Sequence, residues 1–165
     1  MRLLVANPSR YRPLVAFLDQ VTQNLAQLTW ADCEAIGAEL ARDNKSTFCA
    51  GVRDATLDAL GEVEGTPAGR LAPLIDFARR VNEDATTMTQ EDVDAVRAHG
   101  WTDQTVEDVV GLVAALRVFS TMATGLGFAT LPAEDFANIG QGTVGAGGYV
   151  ASFDMFRAAG SSDAV

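Results

Sequence analysis

The chain is poor in the residues that most often carry chemistry. It has two cysteines, Cys33 and Cys49, and one histidine, His99, in 165 residues. Two thiols in a chain this long make no disulfide framework, which points to a reducing, cytoplasmic setting. One imidazole with no clustered carboxylate–histidine spacing argues against a transition-metal site, so neither metal nor cofactor is expected. No apolar run approaches bilayer-spanning length. The apolar start at 1–6 meets Asn7-Pro8 too soon to read as a secretory signal. Basic residues are the scarcer sign of charge, 12 against 22 acidic ones, for a formal net charge of -10. That balance argues against nucleic acid and anionic membrane as partners, and its simplest service is solubility. Clean β-branched alternation is missing over any strand's length, so the fold class is all-α. There is no internal repeat, and the glycine-dense run near the end lacks the Gly-Lys-Ser/Thr of a phosphate loop.

What is present is a core-forming composition, 48% hydrophobic, of a size that suits one domain. Helical spacing predicts about six helices. The first covers 13–28, through Leu14, Phe17, Leu18, Val21 and Leu25. The second covers 30–43 behind a Thr29-x-x-Asp32 cap. The third runs from Ser46 to just before Gly61, and a loop follows at 62–67. A fourth covers 68–81, where Pro73 demands a kink or a later start. A short helix capped by Thr89 ends at His99-Gly100, with His99 as a C-terminal cap. The longest covers 103–126. Residues 1–131 thus form a helical domain. Residues 132–165 read as a glycine-rich, mobile C-terminal arm, whose Phe153, Met155 and Phe156 offer an apolar cluster for docking on the domain or on a neighbouring subunit.

The candidate site lies around Asn44-Lys45-Ser46-Thr47-Phe48-Cys49, a polar turn opening the third helix. Ser46, Cys49 and Arg53 share one face of that helix. A thiol in a first helical turn with a guanidinium one turn on is in a setting that favours the thiolate. Cys33, beside a carboxylate on an apolar stripe, reads as an inert core residue. That stripe comprises Trp30, Cys33, Gly37, Leu40 and Ala41, and Glu34 interrupts it. Arg53 interrupts the inward face of the third helix, formed by Cys49, Val52, Thr56 and Leu60. Buried charges are costly unless paired, so Glu34 and Arg53 are predicted to meet. Such a pair satisfies the fold whether or not it takes part in chemistry. On the long helix Arg117 breaks a run that is apolar nearly all round, and it too needs a partner. That run marks a central or subunit-facing helix.

These residues resemble the core of the carboxymuconolactone decarboxylase and alkylhydroperoxidase-D superfamily, in particular its peroxidase-related branch. There a helix carries a glutamate, an Asn-Gly-Cys-x-x-Cys turn follows, and a histidine stands four residues past the second cysteine. Here Glu34 stands at the glutamate and Asn44-Lys45 at Asn-Gly. Ser46 replaces the first cysteine, Cys49 matches the second, and Arg53 replaces the histidine. Leu74-Ile75-Asp76-Phe77-Ala78, Met88-Thr89-Gln90-Glu91-Asp92-Val93 and Gly100-Trp101-Thr102-Asp103 follow in the branch's order, so the resemblance spans about 7–131.

The resemblance implies an all-α bundle of the alkylhydroperoxidase-D type, assembled as a homodimer or larger homo-oligomer. It implies peroxidase-like chemistry on a small-molecule hydroperoxide, with Cys49 as a single peroxidatic thiol, Arg53 favouring its thiolate and Glu34 orienting Arg53. Ser46 cannot form a disulfide and Arg53 cannot act as a base, so an external thiol would be the reductant. Two alternatives stand beside this reading. One is a non-redox lyase or hydrolase, with Glu34 as general base and Arg53 holding a carboxylate. The other is a pseudoenzyme kept for binding or assembly.

Overall fold

Helix starts are written into this chain by threonine. The Thr29 and Thr102 hydroxyls accept at the N-terminus of the helix that follows, the Thr89 hydroxyl donates to Asp92, and Asp32 and Asp92 accept from the Thr29 and Thr89 backbone N–H groups. The computed structural model describes residues 6–23, 25–61 and 69–162, with side chains to 159. The helices are α1 (Pro8–Gln23), α2 (Trp30–Asp43), α3 (Thr47–Leu60), α4 (Ala72–Asp84), α5 (Gln90–Arg97), α6 (Asp103–Gly125), α7 (Ala133–Ala146) and α8 (Tyr149–Ser162). A single 3-10 turn, Ala85–Thr87, joins α4 to α5. Among the described residues there is no strand, and no helix is long and apolar enough to cross a membrane.

The all-α class stands, with eight α-helices among the described residues where about six are expected. The first helix begins five residues earlier than its apolar spacing suggests and takes Pro13 inside it. The Pro73 difficulty resolves as a later start: α4 opens at Ala72, so the ring sits in the first turn, where the missing N–H costs nothing. The expected loop at 62–67 lies outside the described residues. Between α2 and α3 the chain turns through Lys45 at φ 55°, a left-handed conformation that a side chain tolerates poorly. The resembled family places glycine at this step.

Helix α6 is the axis of the bundle, and α1 to α5 all pack on it. Cys33, Ile36, Leu40, Leu74, Val109, Leu112 and Leu116 fill the interior and are almost wholly buried. The opposite side of α6 leaves Val110 and Val118 about 40% exposed, so its apolar run is only partly accounted for within one chain. His99 caps as expected, with Nδ1 2.9 Å from the Ala95 carbonyl oxygen.

Residues 132–165 are expected as a glycine-rich arm, mobile or docked on the domain; their described part forms two helices that fold back on it as the hairpin α7–α8. Two glycines, Gly140 on α7 and Gly51 on α3, let the hairpin pack closely. A Cβ on Gly140 would lie 2.1 Å from the Ala55 carbonyl oxygen, and one on Gly51 would meet the Phe136 ring at 2.5 Å. Helices α3 and α7 therefore touch backbone to backbone. Gly147, at φ 86°, ends α7, and α8 then lies across α1. The Asp19 carboxylate caps α8 from outside, accepting from the Tyr149 and Val150 backbone N–H groups at 2.7 and 2.9 Å. Arg12 and Asp154 make an exposed clamp further along.

Two kinds of glycine on α7 should respond oppositely to substitution. Gly140→Ala should lose about 1–3 kcal/mol in urea unfolding, because the backbones must separate. A Cβ at Gly142 or Gly145 meets nothing, so Ala there should gain up to ~1 kcal/mol from helix propensity.

Candidate active site

The site is built where α2 and α3 cross. Glu34 is 0% exposed and Arg53 4%. Arg53 Nη1 donates to Glu34 Oε2 at 2.9 Å and to Oε1 at 3.1 Å. The pair predicted from two interrupted apolar stripes is therefore present. Gly37 makes room for it: a Cβ there would lie 3.3 Å from Arg53 Cδ, so the arginine stem lies directly against α2.

Two further residues complete the cluster. The Trp30 indole N–H donates to Glu34 Oε1 at 2.7 Å. The Tyr149 hydroxyl donates to the Glu34 oxygens at 2.9 and 3.0 Å and accepts from Arg53 Nη1 at 3.0 Å. The Arg53 guanidinium also lies over the Tyr149 ring, 4.9 Å from its centre. The carboxylate thus has three donors and the cluster carries no net charge. Burial works against the Arg53 charge, but Glu34 outweighs it, with Tyr149 adding to the effect, and holds Arg53 above its ordinary pKa. Burial likewise pushes the Tyr149 phenol up, and Glu34 adds to that push.

Cys49 stands one turn before Arg53, half-buried and unpaired. It lines an apolar cavity of about 110 Å³, together with Leu18, Arg53, Leu116, Tyr149 and Phe153. Only Arg53 Nη1 is engaged: Nε and Nη2 donate to no acceptor among the described residues. Cys33 is fully buried, and burial followed by Glu34 and Asp32 raises its pKa far above that of a free thiol.

Of the four residues singled out in the sequence, three come together: Glu34 with Arg53, and Arg53 with Cys49 on one cavity wall. Ser46 does not join them. It is 3% exposed and its hydroxyl has no hydrogen-bond partner, neither as a cap nor on Cys49. Tyr149 was not expected at the site. Its only sequence signal is a phenol at the first position of a helix after Gly147-Gly148, which says nothing of where that helix docks. Among the described residues no group of three His, Cys, Asp or Glu side chains is placed to hold a metal ion.

Together these helices make the all-helical fold of the alkylhydroperoxidase-D core. The chain superposes on the crystal structure of an alkylhydroperoxidase AhpD core, an uncharacterized peroxidase-related protein from Ralstonia eutropha JMP134. The TM-score is 0.70 at 23% identity, over 84% of this chain and 78% of that one. An uncharacterized peroxidase-related protein from Silicibacter sp. TM1040 superposes with a TM-score of 0.68 at 17% identity, over 79% and 74%. No protein-family model and no curated protein sequence matches the chain.

Two outcomes follow from this geometry. Glu34→Ala should cost about 3–5 kcal/mol in chemical unfolding, because it strands a buried guanidinium. Stability should also fall as pH rises. Tyr149 and Cys33 have folded pKa values raised above their unfolded ones, so the native state keeps protons that the unfolded chain releases. Their contribution is whole below pH ~8.5 and is lost progressively above it. Urea midpoints between pH 8 and 11 should drop, and Tyr149→Phe should remove the part above pH ~10. A flat or rising profile would contradict this.

Proposed function

We propose that this is a peroxidase-related, alkylhydroperoxidase-D-like protein that reduces small hydroperoxides through one thiol, Cys49. The observation that carries the reading is a free, half-buried thiol opening on an apolar cavity whose wall also holds a partly unengaged guanidinium. In the proposed reaction the Cys49 thiolate attacks the terminal oxygen of the hydroperoxide. The S–O bond forms as the O–O bond breaks, and the departing alkoxide takes a proton from solvent. The arginine charge stabilises the thiolate and the oxygen that gains charge. The resulting sulfenic acid is attacked by an external thiol, which forms a mixed disulfide and releases water. A second external thiol then restores Cys49. The fold supports this reading, since both structural neighbours are described as peroxidase-related. The setting we propose is cytoplasmic, and the assembly a homodimer or larger, with the exposed valines of α6 as the apolar contribution.

A second reading, a pseudoenzyme that binds without reacting, has one observation in its favour. Glu34 accepts from three donors and is held in place by them, so no carboxylate is left free to move a proton. The same observation counts against the lyase or hydrolase reading, which needs Glu34 as a base.

The test is a titration of the reduced protein with tert-butyl hydroperoxide. Cys49 should be oxidised at least about tenfold faster than free cysteine, a difference of ~1.4 kcal/mol in the barrier. Dimedone should trap a sulfenic acid at Cys49 and not at Cys33, and an added dithiol should support turnover. A Cys49 that stays reduced would leave the binding reading in possession.

A further inference from the structure

A second cavity lies on the far part of α6 and owes nothing to Cys49. It is open, about 430 Å³, and is lined by Asn44, Arg117, Ser120, Thr121, Thr124 and Gly125. The α6 residues fall at i, i+3, i+4, i+7 and i+8, so they form one stripe, polar but for Gly125, on the mostly apolar C-terminal half of the helix. Asn44, the last residue before the turn into α3, faces them.

Three features make this a built site rather than a solvated surface. The first is a hydroxyl with nowhere to go: Ser120 is 4% exposed, lines the cavity and has no hydrogen-bond partner. A buried hydroxyl left unpaired is destabilising, and a helical one ordinarily bonds back to the carbonyl four residues earlier. Thr22 and Thr56 do so in this chain, at 2.9 and 2.8 Å. Neither Ser120 nor Thr121 nor Thr124 does, and none of the three has another partner among the described residues. The second feature is charge. Arg12, Arg42, Arg53, Arg70, Arg79, Arg80, Arg97 and Arg157 all pair with carboxylates. Arg117 does not. Its Nη1 is fixed on the Asn82 carbonyl and side-chain oxygens, and its Nε and Nη2 have no acceptor. No acidic side chain lines the cavity. The third is the lining chemistry: the Thr124 carbonyl is already taken by the Gly127 N–H, and the side-chain groups left unengaged are hydroxyls and guanidinium N–H groups.

We infer that this stripe binds a phosphate group. A fixed guanidinium with two free donors and three unengaged hydroxyls offers more donors than a two-oxygen carboxylate uses, and matches a tetrahedral oxyanion. The opening to solvent leaves room for a phosphomonoester as well as for the free ion.

The test titrates the full chain with inorganic phosphate and, separately, with glycerol 3-phosphate, at constant ionic strength, following backbone amide shifts. Amides over 117–127 should move saturably. Arg117→Gln and Ser120→Ala should each weaken binding about tenfold, the worth of a hydrogen bond to a charged group. Cys49→Ala should leave it unchanged. Should Arg117→Gln fail to fold, because it also releases the Asn82 carbonyl, Ser120→Ala and Thr124→Val decide the matter. Tighter binding of the ester points to a phosphorylated metabolite, and equal binding to the free ion; both support the site. Absence of saturable shifts, shifts that the variants leave intact, or equal binding of acetate would overturn it.

Discussion

A carboxylate and a guanidinium, both out of water, govern this molecule. Neither Glu34 nor Arg53 is tolerable alone in the position it occupies, since an unpaired buried charge costs several kcal/mol. Their meeting fixes how α2 and α3 cross, and the crossing needs Gly37 so that the arginine stem can lie against α2. Satisfying the remaining carboxylate positions draws in Trp30 from the start of α2 and Tyr149 from the start of α8. The C-terminal hairpin is thereby tied to the centre of the bundle. Asp19 supports the tie from α1, because it caps the helix whose first residue is Tyr149. One polar contact thus links four helices, α1, α2, α3 and α8, by a short chain of hydrogen bonds, and α6 packs beneath them.

The same contact shapes the chemistry available beside it. A histidine at position 53 could take a proton; an arginine cannot, but it supplies a permanent positive charge one turn beyond Cys49. A cysteine at position 46 could resolve a sulfenic acid; the buried serine hydroxyl there cannot. The arrangement that remains favours charge stabilisation over proton relay and would make a thiol at this place depend on an outside reductant. The cavity in front of Cys49 is mostly apolar, with Arg53, Tyr149, Thr143 and Ser152 as its polar lining residues.

How far the sequence disclosed this depended on whether the signal was local. Glu34 and Arg53 were legible because each breaks an apolar helical stripe, and a break of that kind has few physical solutions. The caps at Thr29, Thr89 and Thr102 were legible because the bonds they make span three residues. The glycine-dense stretch over 139–148 was not. Glycine reads as freedom when its neighbours in space are unknown. Its meaning here comes from Ala55 and Gly51, some ninety residues earlier, whose backbone and small side chain let α7 approach to contact. Tyr149 was illegible for the same reason, since its place follows from where that hairpin folds back. Arg117 showed only that it lacked a partner; Asn82, on α4, could be found only in three dimensions.

The most direct test of the account is a double-mutant cycle on Glu34 and Arg53, with Glu34→Leu, Arg53→Met and the combined variant compared in urea unfolding. If the pair organises the fold as described, each single change should cost about 3–5 kcal/mol and the combination much less than their sum. That corresponds to a coupling of at least ~2 kcal/mol, at the high end for residues in contact. Single losses that simply add, to within ~0.5 kcal/mol, would contradict it and would mean that the two charges are not held by each other.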